Sequence, residues 1–498
     1  MARKRCCVSS FQSLSYIIFI FSIFSGILFL SWCHFSGQCY YTYQLLSPEK
    51  KPISNNNQPI INLLSYPFAW NHLTFSSELP PPRLLKIALF VKKWPQRSHA
   101  GGLERHALTL HLALARRGHE LHIFTTSPSS LDSSLPKYEL ANLYFHISKP
   151  TPGGYLDQAL VWEQFQAQNS TGRPFNVVHT ESVGLRYTRS RYISNLAVSW
   201  HGIAYETIHS DIIQELLRSP QEPQAKALTE RAMKVVDEVK FFPNYAHHVA
   251  TSHHAGDILK RVYMIPEKRV HIILNGVDQH VFKPDISKAK EFKQRHNIPD
   301  SSKSLVIGLA SRLVKDKGHP LMFEALKQII SENSTFQENI MVLVAGDGPW
   351  AARYRDLGPN IMVLGPLEQA ELACFYNAID IFLNPTLRAQ GLDHTSLEAM
   401  LSGKPVMATR LASIVGSVIV NKEMGYTFSP TVTLLKKAIY EVCDDGREVL
   451  EKKGQVALQR GLKLFTATKM VAAYERLFLC LSDRNDGNHL CQYQPPSN

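Results

Sequence analysis

Cysteine is scarce in this chain of 498 residues, and the eight that occur are scattered: Cys6, Cys7, Cys33, Cys39, Cys374, Cys443, Cys480 and Cys491. None has the paired spacing of a zinc or iron–sulfur site, so no metal built on thiolates is expected. Cys480 and Cys491 are close enough in sequence to pair in an oxidising compartment, with unpaired thiols as the equal alternative. Also missing is any block of Lys and Arg interleaved with aromatics. The net charge is +12, but the basic residues are spread along the chain, so a nucleic-acid surface is not expected. An enzyme acting on anionic nucleotides fits the same charge. With 44% hydrophobic and 19% charged residues, the chain suits two or three domains with real cores.

Long apolar runs are absent except for one. Tyr16–Trp32, YIIFIFSIFSGILFLSW, carries no charge and follows Arg3-Lys4-Arg5. It is just long enough to span a bilayer, and no small-residue cleavage pattern follows Trp32; a cleaved signal peptide is the alternative. The expected order is a cytoplasmic tail over 1–15, a transmembrane signal anchor over 16–33 and a luminal remainder, a single-pass type II protein of the Golgi or ER. Cys6 and Cys7 beside the anchor are lipidation sites in this reading. Residues 34–83 lack sustained periodicity and end in Pro80-Pro81-Pro82, which reads as a stem or linker. Asn169 and Asn333 open glycosylation tripeptides.

From Leu84 onward strand and helix alternate. LLKIALFV reads as a buried strand, followed by a loop with Gly101-Gly102, a helix over Leu103–Arg117 and the strand HELHIFT. Further strands are expected at Asn176–Thr180, Leu196–Trp200, His247–Ser252 and Arg269–Leu274. The pattern predicts a parallel sheet with helices on both faces over 84–285, and a second such domain over 286–455. A long helical region follows; its terminal part is 456–481, and 482–498 is a polar tail expected to be disordered.

The chemistry-bearing residues fall where these strands end. His201-Gly202 follows one of them, on the side where such sheets bind ligands; a solvated loop histidine is the plainer reading. Arg312 and Lys317 flank a strand-to-helix turn and suit a phosphate clamp, or are two solvated charges. Gly346 and Gly348 sit in AGDGP at another strand end. NPTLRAQGLDHTSLEAMLSGKPV, from Asn384, reads as a strand end, a loop with Gln390, Gly391, Leu392 and Asp393, and a helix over Thr395–Leu401 stopped by Gly403. That helix N-terminus suits a phosphate, and Glu398 near its start either binds sugar hydroxyls or only complements the helix dipole.

Gly101-Gly102 followed by ERH, His201-Gly202, LNGVD with F-x-P, the R-x4-K-G of Arg312–Gly318, AGDGP and LEAMLSGKPV occur in one order. Together they resemble the retaining nucleotide-sugar glycosyltransferases of family 4, over roughly 84–480. The resemblance implies the GT-B fold, two Rossmann-like domains facing across a cleft, with the terminal helices crossing back to the first. It implies transfer of a hexose from a UDP- or GDP-sugar to a glycan, lipid or small-molecule acceptor. Arg312 and Lys317 would bind the diphosphate and offset charge growing on the leaving group. Glu398 would hold the ribose hydroxyls and His201 would lie near the scissile bond. Gly101, Gly102, Gly346, Gly348, Gly391 and Leu392 would approach the donor by their backbones. Front-face attack is implied, in which the departing phosphate oxygen takes the acceptor proton. No metal or other cofactor is expected, and no D-x-D site follows a strand.

One departure stands out. The family pattern has two glutamates separated by seven residues, and here Gln390 takes the first place before Glu398. Gln keeps an acceptor but loses the charge. The family's usual G-F-G-L is Gly391-Leu392-Asp393-His394 here, so Asp393 stands at the second glycine; it is either an N-cap or a contact to the donor sugar. A catalytically silent GT-B protein that binds a sugar nucleotide or glycan as a scaffold is the alternative these two changes motivate.

Overall fold

The computed structural model describes residues 60–75, 79–95, 102–126, 138–152, 154–224, 226–298, 305–333, 339–389, 391–483 and 489–495. The expected cytoplasmic tail, the anchor and most of the stem lie outside the described residues, as do Gly101 and Gln390. Among the described residues no helix is long and apolar enough to cross a membrane.

Ile61–Asn62 is β1. Seven parallel strands then form the first sheet: β2 (Lys86–Lys93), β3 (Glu120–Thr126), β4 (Leu143–Ser148), β5 (Val177–Glu181), β6 (Leu196–Trp200), β7 (His247–Ala250) and β8 (Val270–Ile272), in the order β4-β3-β2-β5-β6-β7-β8. Six more parallel strands form the second: β9 (Leu305–Ala310), β10 (Ile340–Ala345), β11 (Ile361–Gly365), β12 (Ile381–Asn384), β13 (Val406–Thr409) and β14 (Gly425–Phe428), in the order β11-β10-β9-β12-β13-β14. Val, Ile, Leu and Phe dominate these strands and are buried nearly throughout except in the edge strands β4 and β11, as strands covered on both faces require. In each sheet the order reverses beside the first strand, and ligands bind at such points.

Two sequence expectations are corrected. Residues 60–73, read as stem, are folded: Leu63, Trp70 and Leu73 are buried against the first domain, and Asn71 Nδ2 donates to Leu274 O at 3.2 Å and Leu464 O at 2.9 Å. Trp70 is fully buried, so Trp70→Ala costs about 3–5 kcal/mol. The tail, read as disordered, forms β15 (Gln492–Tyr493) antiparallel to β1. A Cys480–Cys491 disulfide ties it to the last helix. Both segments are short and carry no repeating pattern; isolated anchors, not periodicity, hold them.

The C-terminal helices run Val432–Leu464, broken at Gly446, and Ala467–Leu481. The second packs on the first domain, where Tyr474 Oη shares a 2.7 Å hydrogen bond with Ser199 Oγ. Gly461 lies within the first of these helices; a Cβ there would lie 3.1 Å from a Leu401 methyl.

Candidate functional site

Residues from the carboxyl ends of both sheets meet across the domain boundary. Helix α1 (Gly102–Arg116) starts against helix α2 (His394–Leu401): a Cβ on Gly102 would lie 3.4 Å from His394 Nδ1. One turn into α1, Arg105 Nη1 donates to Glu398 Oε1 at 2.7 Å, and the Tyr376 hydroxyl donates to Glu398 Oε2 at 2.9 Å. Burial pushes the Glu398 carboxyl up, and Arg105 and Tyr376 only partly pull it back. The residue that the resemblance assigns to ribose thus has both oxygens engaged, one of them by the opposite domain.

Glu181 ends β5 fully inside the protein. His201 Nε2 donates to its Oε2 at 2.6 Å and His106 Nδ1 to its Oε1 at 3.1 Å. The geometry follows from strand alternation: His179 and Glu181 share one face of β5, and His201 leaves neighbouring β6 one residue past its end. The network continues from His111 Nε2 to His179 Nδ1 at 3.0 Å and from His179 Nε2 to Ser199 Oγ at 2.8 Å. Burial pushes Glu181 up, but the surrounding His106, His179 and His201 outweigh it and hold the carboxyl well below its ordinary range. Burial likewise lowers His106, His111 (to about 4) and His179, against the opposing pull of Glu181. With Nε2 committed to Glu181, His201 keeps Nδ1 for another partner.

Two groups of side chains could hold a metal: His106, Glu181 and His201, and His111, His179 and Glu181, with ligand atoms within 4.8 Å of one another. The contacts between Glu181 and the rings of His106 and His201 are hydrogen bonds, which satisfy these donors without an ion.

On the second domain, Arg312 is exposed at the end of β9 and has no side-chain partner among the described residues. Lys317 Nζ lies 2.7 Å from Asp393 Oδ2. Asp393 caps α2, accepting from Thr395 N at 3.3 Å and Thr395 Oγ1 at 3.0 Å. Burial pushes its carboxyl up, but the Lys317 charge and these bonds overcome that and depress it. The AGDGP loop backs the Arg312 turn: Leu313 N donates to Asp347 O at 2.8 Å. Gly346 has φ +129°, and a Cβ there would fall 1.9 Å from Ser311 O. A Cβ on Gly348 would fall 2.5 Å from Leu313 O, so both glycines permit the turn's packing. Gly391 sits against Thr251 of the first domain, and buried Leu392 accepts from Asn275 Nδ2 at 3.0 Å.

Sequence reasoning missed Glu181, Arg105 and His106, although ERH was in view and HTE ends a strand. It also missed Glu206, in helix α3 (Ala204–Leu216), which is 2% exposed, with no side-chain partner for its carboxyl and only the backbone of Ile203 and Gly391 facing it. Burial raises Glu206 to about 8.

Against known proteins, residues 100–281 match the model described as Glycosyltransferase Family 4, and 304–445 match the one described as Glycosyl transferases group 1. D-inositol 3-phosphate glycosyltransferase of Xylanimonas cellulosilytica is 24% identical over 346 residues, covering 64% of this chain and 78% of that protein. Sucrose-phosphate synthase of Thermosynechococcus elongatus superposes with a TM-score of 0.63 at 20% identity, over 80% of this chain and 100% of that one. Anabaena HepE in complex with UDP-glucose does so with a TM-score of 0.56 at 16% identity, over 78% and 97%. Two parallel-sheet domains with this arrangement define a glycosyltransferase of the GT-B type. The chain is a family 4 glycosyltransferase.

Proposed function

We propose that this enzyme is a retaining hexosyltransferase that uses a UDP- or GDP-sugar without a metal. The observation that carries the reading is the pair of cations at the end of β9. Arg312 is unengaged among the described residues, and Lys317 is held at the start of α2 by Asp393. A diphosphate beside them meets two positive charges and a helix N-terminus, and these offset the charge that grows on the leaving group. Anabaena HepE, of like fold, is described with UDP-glucose bound.

In this reading the ribose takes Glu398 from Arg105, and the freed guanidinium becomes a third cation near the phosphates. His201, fixed by Glu181, faces the sugar with its other ring nitrogen. Gln390, beside Gly391 in sequence, contacts the transferred sugar by hydrogen bonding alone. The acceptor oxygen attacks the anomeric carbon on the face the phosphate leaves, and the departing phosphate oxygen takes the proton. The enzyme is placed in the Golgi or ER lumen behind the anchor at 16–33; the Cys480–Cys491 disulfide supports an oxidising compartment. The test is transfer by the full chain in detergent across a panel of UDP- and GDP-hexoses, with product configuration read by NMR. Retention of configuration is expected; inversion, or no turnover of any donor, overturns the reading.

A further inference from the structure

The loop that leads into α2 is held from the other domain. Ser210 Oγ of α3 accepts from Ala389 N at 3.1 Å, and Asn275 Nδ2 donates to Leu392 O at 3.0 Å. Between these two points the Glu206 carboxyl faces the backbone of Gly391. Gly391 has φ +54°, and a Cβ on it would fall 3.3 Å from Thr251 Oγ1, so this peptide is fitted closely against the first domain. Ser210, Asn275, Ala389 and Leu392 are all buried.

Glu206 is the member of this group whose residue type calls for a reason. It lies in the first turn of α3, and its carboxyl turns back on the backbone of the N-cap residue Ile203, as the Glu of a capping box does. Capping alone does not require full burial, because the same contact forms at exposed helix starts. Among the described residues no cation pairs with the carboxyl, and the charged side chain that acts on it is Glu238, of like sign. A buried carboxyl without an ion partner is costly, and it is retained where it satisfies backbone N–H groups that would otherwise be orphaned. Beyond its own helix, the backbone it reaches is that of Gly391. Ala389 and Gly391 are the chain neighbours of Gln390, to which the transfer reading gives the transferred sugar. Both neighbours are therefore held by side chains of α3.

We propose that Glu206 is a positioning residue for the transferred sugar: from the first domain it fixes the Gly391 peptide, and through it the stretch of the second domain that meets the hexose. The proposal rests on the transfer reading above and adds to it a residue of the opposite domain that governs which hexose is turned over. Glu206 acts through Gly391 and not on the donor itself. Arg312, Lys317 and Glu398, which that reading gives to the diphosphate and the ribose, take no part in these contacts. Affinity for the nucleoside diphosphate is therefore independent of Glu206, whereas turnover and hexose preference depend on it.

The test uses the full chain in detergent. Calorimetry gives the Kd for UDP and for GDP. Release of UDP or GDP from UDP-glucose, UDP-galactose, GDP-glucose and GDP-mannose gives kcat, KM and the preference between hexoses on one nucleotide. Glu206→Ala is expected to lower kcat about tenfold or more and to shift the hexose preference about threefold or more, with the nucleotide Kd within about twofold of the wild type. Glu206→Gln keeps a carbonyl oxygen for the Gly391 N–H and is expected to recover kcat to within about threefold of the wild type. Ser210→Ala removes the neighbouring hold on Ala389 and leaves the rest of α3 in place. It moves kcat and preference in the same direction by a smaller factor, and it decides the matter if Glu206→Ala does not fold. Wild-type kcat and hexose preference in Glu206→Ala, or in Ser210→Ala where that variant decides, overturn the assignment. So does a nucleotide Kd that weakens in step with kcat, which marks a general loss of structure, or a Glu206→Gln no better than Glu206→Ala. If the wild type turns over no donor, the transfer reading fails and takes this one with it.

Discussion

His201 Nε2 and Glu181 Oε2 lie 2.6 Å apart at the ends of adjacent strands, with the carboxylate fully enclosed. A histidine held this way keeps one orientation and one tautomer. Glu181→Gln preserves the shape and removes the charge. The expected result is a fall in kcat of about ten- to a hundredfold with little change in donor KM, since loss of orientation at the reacting centre acts on turnover. Steady-state kinetics on a variant shown to be folded by circular dichroism checks it. A change confined to KM would assign Glu181 to binding.

Asp393 and Lys317 give a prediction in acid. Asp393 titrates lower in the folded chain than its ordinary 3.8, so the pair's contribution is complete above that value and is lost as pH falls below it. Asp393→Asn should cost about 2–3 kcal/mol at pH 7, and the gap to the wild type should narrow progressively as pH falls below 3.8. Denaturant unfolding at several pH values measures this; a gap that does not depend on pH contradicts it.

Glu206 acts in the opposite direction. Its folded value of about 8 against an ordinary 4.5 means that the folded chain keeps a proton the unfolded chain has released between these two pH values. Stability therefore falls as pH rises through that window. Glu206→Gln should flatten the loss and be more stable at pH 8 by a few kcal/mol, on the order expected for a shift of this size. Parallel pH profiles for the variant and the wild type would show that the carboxyl is ionised in the fold.

Arg312 and Lys317 supply the positive charge in the proposed step, so transfer should continue unchanged in EDTA. Loss of activity that a divalent cation restores would instead point to His106, Glu181 and His201 as ligands.

Much of the fold was legible because buried parallel strands are continuous apolar runs and the motifs punctuate their ends. LVIGLA and IMVLVA read directly as β9 and β10. By contrast, LYFHIS of β4 was missed: it is half-exposed along its length and offers no such run. Trp70 and the Cys480–Cys491 tail were missed because single anchors carry no period. At the site, Arg312, Lys317 and Glu398 stood in recognisable spacing. The partners that set their chemistry did not: Arg105 is 293 residues from Glu398 and His106 is 75 from Glu181, and only the folded chain brings them together.

In the proposed transfer Arg312 stabilises the departing nucleoside diphosphate. Comparing Arg312→Ala with the wild type, for transfer from the preferred sugar nucleotide under saturating donor, tests this. A fall in kcat on the order of a hundredfold is expected, as when one group that stabilises transition-state charge is removed. Turnover equal to that of the wild type would contradict it.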